Sequence, residues 1–78
     1  MDLQELQPYV GKKVELHFLD GHVVRATLVR VDVDDPQEII YDIHEIVAVG
    51  PRELAGVKPG TVAAADPAML SAVELLKS

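Results

Sequence analysis

Residues 13–33, KVELHFLDGHVVRATLVRVDV, decide the fold, and they do so through a change of phase. Val14, Leu16 and Phe18 alternate with Lys13, Glu15 and His17, the period of a strand with one buried face. Leu19-Asp20-Gly21-His22 interrupts the alternation, and Asp-Gly between two alternating runs is a strong short-range hairpin signal. Val24, Ala26 and Leu28 resume the pattern against Arg25 and Thr27. After Leu28 the apolar phase slips: Val29, Val31 and Val33 alternate with Arg30, Asp32 and Asp34. A one-residue slip moves the apolar set to the other face. A bulge or sharp bend absorbs it and lets one strand serve both sides of a closed barrel.

Upstream of the hairpin, Asp2 is placed to cap a short helix over Leu3–Gln7, with Glu5 completing a capping box. Leu3, Leu6 and Val10 share one face at helical spacing; Pro8 stops the helix and Gly11 turns the chain into the first strand. Downstream, Asp34-Asp35-Pro36-Gln37 reads as a loop. Glu38–Ile43 predicts a third strand and Glu45–Val49 a fourth, or one long bent strand through His44. Gly50-Pro51 ends it, Lys58-Pro59-Gly60 is a turn, and Thr61–Ala64 offers a short edge strand.

Asp66-Pro67 has the order of an N-cap followed by a first helical position, which predicts a helix running to Lys77. Its apolar residues, Met69, Leu70, Ala72, Val73, Leu75 and Leu76, would cover most of its circumference, wider than a surface helix needs. The expected organisation is therefore a mostly β fold. Residues 1–65 form a small bent-strand barrel with a short N-terminal helix, and residues 66–78 a C-terminal helix packing on the barrel or on a neighbouring subunit.

At 78 residues the chain holds one domain with a marginal core, and with no Cys it has neither disulfides nor thiolate metal sites to reinforce it. The core is aliphatic, because 49% of the residues are hydrophobic and only 4% aromatic. Oligomerisation is the remaining compensation, and Ile39, Ile40, Val47, Leu70 and Val73 are the apolar surplus expected at a subunit interface. No apolar run approaches the roughly 20 residues of a membrane span, and the acidic N-terminus does not resemble a signal peptide, so a cytoplasmic protein without membrane contact is expected. A net charge of −6, with the seven basic residues scattered, disfavours RNA and DNA as partners.

Catalytic patterns are absent. Ser71 and Ser78 have no base in sequence reach, and Val57-Lys58-Pro59-Gly60-Thr61 has too few glycines for a phosphate loop. Asp32, Asp34 and Asp35 have alternate carboxylate spacing but lack the Gly and distal Glu of a calcium loop, and read as a solvated turn. His17, His22 and His44 follow no ligand spacing, so no metal and no cofactor is expected. Arg25, Arg30 and Arg52 are candidate ligand contacts, but arginines on the polar face of a strand are more often solvated or paired across strands, for example with Glu15 or Glu45; Arg52 stands out because it lies in a loop, where ligand contacts concentrate.

A short N-terminal helix, Gly11, a hairpin with Asp20-Gly21, a long bent second strand and Asp32 near its end give an order that resembles the Sm-like family, as a divergent bacterial-type member. Tyr9–Leu16, Leu19–Gly21, Ala26–Leu28 and Val31-Asp32 carry the match to its first motif, over about half the chain. The resemblance implies an Sm-like, Src-homology-3-like barrel, a homo-oligomeric ring, and ligand or RNA contacts at Asp32, Gly50 and Arg52. The chain departs from the family pattern where Ala26 replaces a Gly, where Asp34-Asp35-Pro36 lacks an Asn, and where Val49 precedes Gly50 in place of a basic residue. The expected function is a non-enzymatic ring-forming binding module; the alternatives are an RNA-binding Sm-like protein and a protein-interaction domain with no nucleic-acid role, its partner unknown.

Overall fold

The hairpin forms where the alternation puts it. In the computed structural model, which describes residues 3–34, 37–48 and 59–76, β1 (Lys13–Phe18) pairs antiparallel with β2 (Val23–Asp32). Val14 stands opposite Ala26 and Leu16 opposite Val24, and all four are buried. The connection is a three-residue loop, Leu19-Asp20-Gly21: the Phe18 amide donates to the His22 carbonyl at 2.8 Å and the Gly21 amide to the Phe18 carbonyl at 3.1 Å. Gly21 has φ 96°, and no described residue other than glycine has a positive φ. Asp20 is therefore outside the left-handed region, which a two-residue type I′ turn requires at both centres. The loop is instead the longer kind, with a bulge at the left-handed glycine.

The phase slip after Leu28 is a β-bulge. Leu28 faces Tyr41 and Arg30 faces Ile40 on β3 (Glu38–Ala48), so Val29 is the extra residue. Beyond it Val31 packs at the edge of the core, while Val29 and Val33 are about half exposed. The third and fourth expected strands are one continuous strand, β3. It is bent by two further irregularities, which leave His44 and Val47 without partners in the β2 register. β4 (Val62–Ala65) then pairs with the first half of β3, one residue later than the sequence places it.

The C-terminal segment corrects the sequence reading. Residues 66–76 do not form a helix. Asp66 Oδ1 accepts the Ala68 amide at 2.9 Å, as a cap does, but the turn it caps is a single 3₁₀ turn over Pro67–Met69. The chain continues as β5 (Leu70–Leu75), antiparallel to β1, with Leu16 opposite Val73 and Val14 opposite Leu75. Without β5 the outer edge of β1 would have no described partner, and a ladder of backbone hydrogen bonds there outweighs the helix propensity of Ala, Leu, Met and Glu. Residues 70–75 are thus part of the sheet and not a separate packing helix.

The sheet has five antiparallel strands in the order β4-β3-β2-β1-β5. Chain-consecutive β4 and β5 sit at its two opposite edges, yet only four residues join them. A flat sheet would hold these edges about 19 Å apart, four strand spacings, whereas a connection containing a 3₁₀ turn is shorter. The sheet therefore curls until its edges approach at one end. There the Leu19 amide at the hairpin tip donates to the Met69 carbonyl at 2.8 Å.

α1 (Leu3–Leu6) continues into a 3₁₀ turn over Gln7–Tyr9. Because 3₁₀ residues eclipse every third position, Tyr9 follows Leu3 and Leu6 onto the core. Val10, expected on that face, is 38% exposed. The core is aliphatic apart from Tyr41, with Leu6, Leu16, Leu28, Ile39 and Ile43 fully enclosed.

Candidate functional site

Where the curled edges meet the hairpin tip, a cavity of about 250 Å³ opens. β1 and β3 supply Phe18 and Tyr41, whose ring centroids lie 6.1 Å apart at 46°. β4 supplies Ala63, Ala64 and Ala65, and the 3₁₀ turn supplies Met69. Small alanines on the edge strand leave the space that larger side chains would fill. Three polar side chains converge on this apolar lining: Asp20, His22 and Asp66.

The loop geometry places the first two. Asp20 Oδ1 accepts the His22 amide at 3.0 Å, an Asx-type contact two residues on. Asp20 Oδ2 lies 2.6 Å from His22 Nδ1, close but bent away from the line of a good hydrogen bond. The amide first, and the imidazole second, hold the Asp20 carboxyl below the usual carboxylate range. His22 is 1% exposed, and its Nε2 is a buried polar atom with no hydrogen-bond partner. A buried polar atom of this kind costs stability unless something in the cavity bonds it. Burial pushes the Tyr41 phenol above its ordinary value, which keeps it a neutral donor. The lining thus suits a small apolar or planar group with one polar edge. Among the described residues, no Ser, Thr, Cys or Lys lines the cavity.

The sequence-derived site residues are distributed differently. Asp32, at the end of β2, is engaged: its Oδ2 is 3.1 Å from Arg30 Nη2 and its Oδ1 accepts the Asp34 amide at 3.2 Å. Gly50 and Arg52 lie outside the described residues, as do Asp2, Asp35 and Pro36. Gly11 makes its turn at φ 82°, and its amide donates to the Leu28 carbonyl at 2.7 Å. Arg25 is the arginine that pairs with these glutamates, 3.1 Å from Glu15 and 3.4 Å from Glu45, and these carboxylates raise its pKa, the Glu15 hydrogen bond most.

Of the expected interface residues, Ile39 and Leu70 are core residues, at 0% and 3% exposure. They are unavailable to a second chain, because the β3 alternation and the start of β5 turn both inward. Ile40 and Val73 are half-buried, and Val47 is exposed. The exposed apolar residues of the edge strands are instead Val62 on β4 and Leu75 on β5.

The three histidines go to separate places, although His17 and His22 flank the tight turn and could from the sequence face each other. His44 Nε2 is 2.7 Å from the Thr27 hydroxyl, His22 faces Asp20, and His17 approaches Glu15 and Glu74. Sequence reasoning did not find the cavity. The usable signal was the scarcity of aromatics: the chain has one Phe and two Tyr, and the cavity takes the Phe and one Tyr. No helix of the described residues is long and apolar enough to cross a membrane. No protein-family model, no curated protein and no solved structure matches this chain.

Proposed function

We propose that this chain is a non-enzymatic, Sm-like binding module: a bent-strand, Src-homology-3-like barrel that assembles head to tail into a homo-oligomeric ring. The observation that carries the reading is the sheet order, with the short β4 and β5 at opposite edges of one curled sheet. No described strand covers the outer side of either edge. Each edge carries a large apolar residue in solvent, Val62 at 66% and Leu75 at 55% exposure. An uncovered edge with apolar side chains is a template for a further strand. Two different edges meeting repeatedly make a heterologous contact, which closes into a ring when the rotation allows.

The fold supports the family resemblance in two further respects. The bulge at Val29 bends β2 where the resemblance wants a long bent second strand. Among the described residues the C-terminal helix, an addition to the family pattern, is replaced by a 3₁₀ turn and β5. The cavity beside Phe18, Tyr41 and His22 is the ligand site of this reading. RNA is the weaker ligand class, because the net charge is −6 and Asp32 is already paired with Arg30.

Native mass spectrometry and light scattering test the assembly. A discrete cyclic oligomer at micromolar concentration is expected, and a monomer throughout that range would overturn the ring. Titration with oligo-U and oligo-A at low salt tests the ligand class, with no saturable binding at tens of micromolar expected.

A further inference from the structure

The solvent-facing side of the β1–β5 pair carries a cluster that the cavity and the sheet edges leave unused. Glu15 and His17 are two residues apart on β1, so their side chains leave the same face. Glu74 on β5 stands directly opposite Glu15 in the antiparallel register. Like charges in that position destabilise a strand pair, and a cation between them reverses the sign.

The donor atoms are already gathered. His17 Nε2 is 2.9 Å from Glu15 Oε1 and 3.9 Å from Glu74 Oε2. All three donor atoms lie within 4.8 Å of one another. Ligands bound at about 2.0–2.1 Å around a tetrahedral ion sit about 3.3 Å apart, between the two measured separations. His17 Nε2 is also shielded from solvent and makes no hydrogen bond, although Glu15 Oε1 is so near. The imidazole nitrogen is thus left without a partner beside two carboxylates, open to a ligand.

The geometry points to a binding site for a late first-row divalent cation, of which zinc is the representative, formed by Glu15, His17 and Glu74. An imidazole nitrogen with two carboxylates selects this class over calcium and magnesium, which take all-oxygen shells. Three protein ligands leave one position for water. Glu74 is 67% exposed, which gives the ion its entry path. Arg25 holds the other oxygen of Glu15 at 3.1 Å and is itself held by Glu45, so Oε1 stays turned toward His17. The Ser71 hydroxyl donates to the His17 carbonyl at 3.2 Å, tying β5 to the backbone of the ligand it serves. A bound ion would staple the edge strand β5 to β1, and it would stabilise the chain because the unfolded state lacks the cluster. The site lies inside one protomer, so it stands or falls independently of the ring.

The test uses the full chain, stripped with a chelator. Calorimetric titration with Zn²⁺ is expected to give one site per chain of micromolar or tighter affinity, untouched by excess Mg²⁺ or Ca²⁺. Thermal melts should rise by about 5 °C or more with saturating Zn²⁺ and fall back on chelation. Co²⁺ should give the visible bands of a four-coordinate ion. His17→Gln and Glu74→Gln, both on the solvent side, should each weaken Zn²⁺ binding about 100-fold or more, while His44→Gln leaves it unchanged. A folded chain that takes up no Zn²⁺ at about 100 µM, or whose uptake survives both ligand substitutions, would overturn the site.

Discussion

A single loop residue, Asp20, sets both the hairpin tip and one wall of the cavity. Its carboxylate accepts the His22 amide and faces the His22 ring, and these contacts lower its pKa from the ordinary 3.8. A depressed carboxyl pKa stabilises the fold above the unfolded value and loses that contribution as pH falls through the folded one. Asp20→Asn should therefore melt below the natural chain at pH 7, and the gap should narrow below about pH 4. Paired melts from pH 7 to pH 3 isolate this residue from the other carboxylates, and a gap that stays constant would remove the ionic role. The neighbouring Gly21 is conformational. At φ 96° a Cβ meets the left-handed penalty, so Gly21→Ala should cost about 1–2 kcal/mol in chemical denaturation.

Among the elements, β5 is where local and tertiary preferences conflict. Asp66-Pro67 is a sound helix start, and it does cap a turn, but the turn ends after Met69. Most residues of 68–77 are good helix formers, so nothing local forbids a helix. What decides is an edge of β1 far away in sequence, which no periodicity within 66–77 can report. The Val29 bulge was legible for the opposite reason: a phase slip is recorded in the strand itself. The same contrast governs the sites. Arg25 with Glu15 lies within one hairpin and could be paired from sequence, whereas Glu74 meets Glu15 only because β5 is a strand. The cavity needs β4, β1 and β3 at once. The strand assignment makes a prediction at this scale. Leu70, 3% exposed at the start of β5, should cost about 2–5 kcal/mol when cut to Ala, as a core leucine does. Ala72→Pro, opposite His17 and in step with the Leu76 amide that donates to the Lys13 carbonyl, removes an amide facing β1 and should break the β1–β5 ladder and unfold the chain, as far-ultraviolet circular dichroism would record.

For the whole molecule, the question is how a small curled sheet, with no described strand on the outer side of either edge, behaves at working concentration. Heterologous and isologous contacts make different predictions from the same pair of variants. Val62 on β4 and Leu75 on β5 are both largely exposed, so Val62→Glu and Leu75→Glu disturb the edges without opening the core. In a head-to-tail ring every contact joins the β4 edge of one copy to the β5 edge of the next. Either substitution then spoils every contact, and each variant alone should run as a monomer. An equal mixture behaves differently. The intact β5 edge of Val62→Glu can still meet the intact β4 edge of Leu75→Glu, and the pair so formed has both remaining edges blocked. Mixing should therefore give a heterodimer of one copy of each variant and nothing larger, resolved by native mass spectrometry from their mass difference. An isologous dimer through one edge predicts the contrary: one variant stays dimeric by itself, and mixing creates no new species. Separate monomers that fail to pair on mixing would rule out edge-to-edge assembly altogether.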